Sequence, residues 1–277
     1  MKLLKGIIII LSIFFTNAVL FSSENWSSDW KSAVKESEKL KKPILMDFYT
    51  DWCPPCKKLS EVTFKDKKVL DYFKKNRFIL IRVNPEKDRE AEAHFKVYSY
   101  PTLILFNEKG DEIARILGYL APDRFIKDVS DLRKGIGTLK YLLEKYKKDD
   151  KNIDLINKIV NKYTSRAFYP KALELLDKII KMDFDNMKGK ASKALFMKGY
   201  IYYKWKKYRR SIEILTSIRK IFPKSKDAEN GLGAAAEYSR KLNDKKLTVT
   251  LLEEFLKEFP KSKYADEYKK LLEKVKK

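Results

Sequence analysis

Cysteine and histidine are scarce in this sequence of 277 residues, which contains two Cys and one His. Two cysteines cannot form the disulfide framework that holds a small secreted domain together. A structural zinc site usually has four ligands, whereas the two cysteines and His94 supply three. Because Cys53 and Cys56 stand three residues apart, a redox pair is the preferred interpretation, with zinc binding as the alternative.

The apolar run near the N-terminus is short for a membrane span. Lys2 and Lys5 precede an uncharged apolar run over 6–21, and two serines follow this run. A basic start, an apolar stretch and small residues predict a secretory signal peptide over 1–23. A spanning helix needs roughly 17–25 apolar residues, so an uncleaved anchor is kept as the alternative. No cysteine follows the run, which argues against a lipoprotein.

Acidic residues are too few to balance the basic ones, and the imbalance is local. The formal net charge is +23, yet residues 24–134 hold 23 Lys and Arg against 19 Asp and Glu. Residues 135–277 hold 36 against 19, so the excess lies mainly in the second half. With 44% hydrophobic and 13% aromatic residues, the composition supports packed cores and argues against wholesale disorder. The length allows two domains.

The stretch with the clearest chemistry is the Cys-Pro-Pro-Cys at 53–56. An apolar, strand-like run precedes it and a helical pattern follows it, so Cys53 is predicted at a helix N-terminus. Free N–H groups and the helix dipole at that end stabilise a thiolate and lower the thiol pKa. A stabilised thiolate attacks disulfides, and a second thiol three residues on resolves the mixed disulfide.

Residues 27–134 predict the element order β-α-β-α-β-β-α after a first amphipathic helix over 27–42. Strands are expected at 44–49, 77–83, 102–106 and 112–117, with the last two joined as a hairpin. A βαβ unit joined to a ββα unit predicts a mixed sheet with helices on both faces. We expect parallel strands at the centre of this sheet and the hairpin at one side. The cysteine pair then lies at the carboxyl end of a strand, where open α/β sheets usually place their sites.

These residues resemble the thioredoxin fold, and in particular the exported thioredoxin-like proteins that include the C-terminal domain of the membrane reductase DsbD. The resemblance depends on the Trp-Cys-Pro-Pro-Cys at 52–56, an Asp six residues before the first Cys, a Pro before the hairpin and a Gly after it. Pro54-Pro55 replaces the Gly-Pro of thioredoxin. Since the two central residues tune the redox potential, the direction of the reaction stays open.

The resemblance implies a catalytic role for three residues. Cys53 would be the attacking thiol and Cys56 the resolving thiol, joined as a redox-active disulfide in the oxidised form. Asp47 matches the buried acid that relays a proton to Cys56, a task that suits a carboxylate whose pKa burial raises. The alternative is that Asp47 is a strand-edge acid facing water.

The resemblance also implies three substrate-binding residues. Trp52 would pack beside the disulfide, Pro101 matches the cis-proline facing it, and the backbone of Tyr100 would pair with the substrate chain. A cis X–Pro bond costs about 0.5–1 kcal/mol, which a fold can accommodate. Neither a cofactor nor a metal is implied, and His94 is interpreted as a helix-surface residue without a role.

From about residue 150 strand patterns disappear and an internal repeat is found. Ile-Phe-Pro-Lys-Ser-Lys at 221–226 recurs as Glu-Phe-Pro-Lys-Ser-Lys at 258–263, an offset of 37 residues. In the first copy, the small, aromatic, small and large positions are Gly199, Tyr202, Ser211 and Leu215. The residues aligned with them in the second copy are Ala236, Ser239, Thr248 and Leu252. This pattern resembles the tetratricopeptide repeat, closely over 192–225 and more loosely over 229–262. A third, earlier copy fits Tyr163, Ala172, Leu176 and Phe184, and the tail from Tyr264 is the expected capping helix.

The predicted architecture is therefore an α/β thioredoxin-like fold followed by an all-α, tetratricopeptide-like helical repeat domain. The expected boundaries are 24–134 for the first domain, 135–150 for a linker or connecting helix, and 151–277 for the repeats. Such arrays bind extended chains or partner proteins. The basic excess of this half favours an acidic partner or an anionic membrane surface, or it is simply a solvated Lys-rich face.

The predicted function is an exported thiol–disulfide oxidoreductase of the periplasm or cell envelope. Its substrates are protein disulfides, a membrane or soluble thiol donor recharges it, and the repeat domain recruits a protein partner or substrate. Nucleic acid is not an expected partner. A reductase is preferred to an oxidase or isomerase. The alternative is a non-catalytic envelope adaptor, in which the repeats bind partners and the thioredoxin-like domain only docks.

Overall fold

The computed structural model describes residues 26–277, so the predicted signal peptide lies outside the described residues. In chain order the helices and strands are α1 Trp30–Leu40, β1 Ile44–Phe48, α2 Pro54–Lys58, α3 Lys67–Lys75, β2 Ile79–Val83, α4 Arg89–Phe95, β3 Thr102–Phe106, β4 Glu112–Leu117, α5 Pro122–Arg133, α6 Leu139–Lys148, α7 Ile153–Thr164, α8 Tyr169–Met182, α9 Lys190–Lys204, α10 Tyr208–Ile221, α11 Lys226–Ser239, α12 Lys245–Glu258 and α13 Ala265–Lys276. Over this described range, none of the helices is long and apolar enough to cross a membrane.

The four strands form one mixed sheet in the order β2-β1-β3-β4. β1 pairs with β2 in parallel, whereas β1 with β3 and β3 with β4 are antiparallel. The expectation of parallel strands at the centre was wrong, because the central pair is β1 with β3. Phe48 at the end of β1 pairs with Val83, the last residue of β2, and with Thr102, the first residue of β3. The connection over 84–101 therefore returns the chain to the end of the sheet that it left, and β3 runs back along β1.

Helices cover both faces of the sheet, as predicted. One face packs Ile44, Met46 and Phe48 of β1 against Ala33 of α1 and Phe95 of α4. The opposite face is built from the alternating strand positions and from α3 and α5; its fully or nearly fully buried side chains include Leu45, Leu103, Leu105, Val69 and Phe125. All five residues of β1 are buried, which explains its continuous apolar run.

Local capping residues fix where several helices begin. Asp29 caps α1 by accepting a hydrogen bond from the Ser32 N–H, and Asp66 caps α3 through the N–H groups of Lys68 and Val69. Carboxylates at this position satisfy N–H groups that have no partner within the helix. The first helix thus begins at Trp30, within the predicted range 27–42.

The second half of the described chain is helical, and its helices pack in chain order from α6 to α13. The residues predicted as the small positions of the repeat lie between neighbouring helices. Ser211 Oγ of α10 donates to the Gly199 carbonyl of α9 at 2.7 Å, and Ser239 Oγ lies 2.8 Å from Thr248 Oγ1 in the next pair. In both pairs the small residue of the second helix, Ser211 or Thr248, therefore makes a hydrogen bond to the first helix. The helix α6 occupies most of the predicted linker, whose boundaries stay a prediction.

Candidate active site

Cys53 and Cys56 lie where β1 gives way to α2, and they are joined by a disulfide. Cys53 is the N-cap of α2, and its Sγ accepts a hydrogen bond from the Cys56 N–H at 3.2 Å. Pro54 occupies the first turn, where a missing N–H costs no hydrogen bond. A π-helical turn over Leu59–Thr63 continues α2. Both cysteines are buried, and the helix N-terminus favours negative charge on the Cys53 sulfur.

Asp47 lies in the middle of the sheet and is only 1% exposed. The alternative in which it faces water is therefore wrong. Its Oδ2 accepts a hydrogen bond from Arg82 Nε at 3.0 Å, while its Oδ1 has no hydrogen-bond partner among the described residues. Burial raises the pKa of Asp47 to about 6, and the charge of Arg82 opposes that rise. Such a carboxylate takes up and releases a proton near neutral pH.

Arg82 is the residue of this site that sequence reasoning missed. It stands opposite Asp47 in the parallel register of β1 and β2. Its guanidinium also donates to Ser60 Oγ at 2.7 Å, and Ser60 Oγ donates to the Cys56 carbonyl at 3.1 Å. The ring of Tyr49 lies 4.0 Å from the guanidinium carbon. An arginine inside the otherwise apolar strand 79–83 was the signal that could have identified it.

The predicted substrate-binding residues lie on two loops at one end of the sheet. The Tyr100–Pro101 peptide bond is cis. Pro101 directly precedes Thr102, which pairs with Phe48 at the carboxyl end of β1, so its loop is at the same end of the sheet as the cysteines. The Pro101 carbonyl accepts a hydrogen bond from the N–H of Gly118 at 2.9 Å. Gly118 has φ +83°, a conformation that favours glycine.

The rings of Trp52 and Tyr100 meet edge to face, with centroids 6.2 Å apart. Trp52 is 66% exposed, and its Nε1 donates to Glu86 at 3.0 Å. The Tyr100 hydroxyl donates to Glu92. Burial and this carboxylate both raise the pKa of Tyr100, so the hydroxyl stays protonated. The structure thus brings an aromatic pair, the exposed Trp52 and the half-buried Tyr100, to the end of the sheet that carries the cysteines.

His94 has no place in this arrangement. Its ring is exposed at the end of α4 and stacks on Trp30 with centroids 5.0 Å apart. Within residues 26–277, no three or more His, Cys, Asp and Glu side chains lie together as a metal site would need.

Comparison with known proteins identifies the two parts of the chain separately. Residues 30–132 match the family model of a thioredoxin-like domain, and residues 193–225 match that of a tetratricopeptide repeat. Both resemblances predicted from the sequence are confirmed, as is the fold class. The two matches leave the exact domain boundaries untested.

Curated relatives of this chain include thiol:disulfide interchange proteins named DsbD. The protein from Campylobacter jejuni strain RM1221 is 28% identical over 109 residues, which are 39% of this chain and 19% of the relative. That from Tatumella citrea is 33% identical over 96 residues, 33% of this chain and 17% of the relative. This chain thus spans about a fifth of these curated relatives.

Among solved structures, the oxidised C-terminal domain of Neisseria meningitidis DsbD is 22% identical, with a TM-score of 0.34, and the match covers 39% of this chain and all of that domain. A DsbH oxidoreductase is 20% identical, with a TM-score of 0.37, and the match covers 47% of this chain and 95% of that protein.

Proposed function

We propose that this chain, which carries a thioredoxin-like domain ahead of a helical region with a tetratricopeptide repeat, is a thiol–disulfide oxidoreductase. The observation that supports it best is the Cys53–Cys56 disulfide at the N-terminus of a helix, because this geometry stabilises the attacking thiolate. The buried Asp47 in the strand that leads to the pair supplies a proton acceptor.

In the reductive direction, the Cys53 thiolate attacks one sulfur of a substrate disulfide, and the other substrate sulfur leaves and takes up a proton. Cys56 gives its proton to Asp47 and attacks the Cys53 sulfur, which releases the second substrate thiol. Two electrons pass to the substrate as the protein dithiol becomes a disulfide. A thiol donor of the membrane or the solvent then reduces the pair by the reverse exchange.

Trp52, Tyr100 and Pro101 are the proposed substrate-binding residues, and the helical repeats are proposed to recruit the partner or substrate. Export to the periplasm or cell envelope is supported by the basic and then apolar pattern of the first 23 residues. The names of the relatives, thiol:disulfide interchange proteins, support the same chemistry.

The test is a pair of single substitutions with a disulfide-containing peptide. Cys56→Ser leaves the attacking thiol in place but removes the resolving one, so it should accumulate a mixed disulfide that reductant releases. Cys53→Ser should form none. Equilibration of the unaltered protein against glutathione then gives the direction: a potential near about −270 mV indicates a reductase and one near about −120 mV an oxidant. The proposal fails, and the adaptor takes its place, if the pair forms no reversible disulfide.

A further inference from the structure

A polar seam holds the thioredoxin-like domain against the helical region. Arg115 of β4 is buried and donates to the carbonyls of Lys96 and Ser165, both at 3.2 Å. Arg166, just after α7, forms an ion pair with Glu112 of β4 at 2.8 Å. These contacts join residues on opposite sides of the boundary, so the two parts meet in one defined arrangement.

A cleft of about 990 Å³ lies along this seam. At one end it is lined by Tyr98, Ser99 and Thr102, which flank the cis Tyr100–Pro101 bond. Lys204 of α9 also reaches this end, where its Nζ donates to the Tyr98 carbonyl at 2.8 Å. The remaining lining comes from β4, from α5 to α9 and from the loops between them. The cleft therefore runs from the proposed substrate-binding loop into the helical region.

The charges that line the cleft are mostly positive. Its two acidic residues are already neutralised within α5, since Asp128 pairs with Arg124 and Asp131 with Lys127. Three lysines, Lys145, Lys158 and Lys162, form no ion pair with any described residue.

Lys162 is partly buried, and this burial lowers its pKa. The nearby charge of Arg166 lowers the pKa further, whereas the charges of Asp128 and Glu112 raise it. A partly desolvated ammonium without a paired carboxylate is stabilised by an anionic ligand.

The same cleft exposes three large apolar side chains, and two of them, Tyr98 and Leu117, lie near its active-site end. Tyr98 is 46% exposed, Leu117 51% and Ile136 44%. A cluster of exposed apolar groups marks a surface that a partner covers, and the cations in the same cleft favour an acidic partner. A small inorganic anion would use the lysines but would leave these three side chains in water, whereas a polypeptide segment uses both.

We propose that this cleft binds an acidic, extended segment of the substrate polypeptide that lies next to the reacting cysteine. The inference depends on the proposed function and narrows its substrate class. The segment's apolar residues contact Tyr98, Leu117 and Ile136, and its carboxylates contact Lys145, Lys158 and Lys162. The helical region thereby selects substrates at the catalytic domain itself.

The test uses two disulfide peptides of equal length that differ in one flank, which is Asp- and Glu-rich in one and Ser- and Gly-rich in the other. At low ionic strength the unaltered protein should show a kcat/KM roughly tenfold higher for the acidic peptide. The double variant Lys158→Glu, Lys162→Glu should bring that ratio to about one or below. The control Lys246→Glu, Lys257→Glu makes the same charge change at exposed positions outside the cleft and should keep the preference.

Salt provides a measurement that needs no variant, because screening at about 1 M shortens the Debye length to about 3 Å. The preference of the unaltered protein should then disappear. The cleft proposal is overturned if the unaltered protein treats both peptides alike, or if the control loses the preference as fully as the cleft variant. Absence of exchange with either peptide would instead refute the proposed function.

Discussion

At the residue scale, the pairing of the buried Asp47 with the partly exposed Arg82 shows how position decides chemistry. The sheet register places the guanidinium opposite the carboxylate, yet the pKa of Asp47 still rises to about 6 because burial outweighs the ion pair. Asp47 was identified from the resemblance. Arg82 was overlooked because the strand pattern at 79–83 was interpreted as one apolar run. In addition, a local sequence pattern does not show which strand pairs with β2, so it could not place Arg82 opposite Asp47.

Asp47→Asn should stabilise the protein at neutral pH. The folded-state pKa of about 6 lies above the ordinary 3.8, so between these pH values the folded protein binds more protons than the unfolded chain. Stability therefore falls as pH rises through that window. Removal of the charge should raise the free energy of unfolding by roughly 1–3 kcal/mol at pH 7 and change it little at pH 4.

Urea unfolding at pH 4, 5, 6 and 7 measures this effect, with Asp71→Asn, an exposed carboxylate of α3, as the matched control. An equal gain at pH 4 and pH 7 would contradict the raised pKa. The kinetic role is a separate readout: the rate of mixed-disulfide resolution should lose its inflection near pH 6 in Asp47→Asn.

At the element scale, periodicity and turn signals predicted each strand of the first domain to within two residues, and they predicted the order of helices and strands. The error concerned their arrangement, since the central strand pair is antiparallel. Strand direction depends on the end of the sheet to which a connection returns the chain, and here the connection over 84–101 returns it to the end that it left. In the second half, the small positions of the repeat marked the places where helices touch.

Gly199→Ala should destabilise the helical region, although alanine favours a helix over glycine by about 1 kcal/mol. A Cβ at this position would lie 2.5 Å from Cγ of Leu215, which is buried between α9 and α10. We expect a net loss of roughly 1–3 kcal/mol in the free energy of unfolding. Lys193→Ala, at an exposed position of the same helix, should cost less than about 0.5 kcal/mol in the same urea titration. A Gly199→Ala protein as stable as that control would show that α9 and α10 are not in close contact.

At the scale of the whole molecule, the two parts are predicted to behave as one unit because the seam is buried and charged. Arg115→Ala leaves the Lys96 and Ser165 carbonyls without their donor and removes one of the two arginines at Glu112. Breaking such a pair should lower the free energy of unfolding by about 2–4 kcal/mol and increase hydrogen exchange on both sides of the seam. Arg210→Ala, which removes an exposed pair with Glu213, should cost less than about 1 kcal/mol.

Hydrogen exchange by mass spectrometry distinguishes the effect on docking from a local one. Faster exchange confined to β4 would mean that Arg115 serves its own domain alone, whereas faster exchange in α7 as well would show that it couples the two parts.

The sequence by itself determined the element types, the redox motif and the repeat, because these depend on local spacing and side-chain chemistry. The tertiary structure alone decided the strand order, the partner of Asp47, and the seam and cleft between the two parts. Those features join residues far apart in the chain, such as Tyr98 with Lys204 and Arg115 with Ser165. Their contact results from packing the whole chain, which no local pattern encodes.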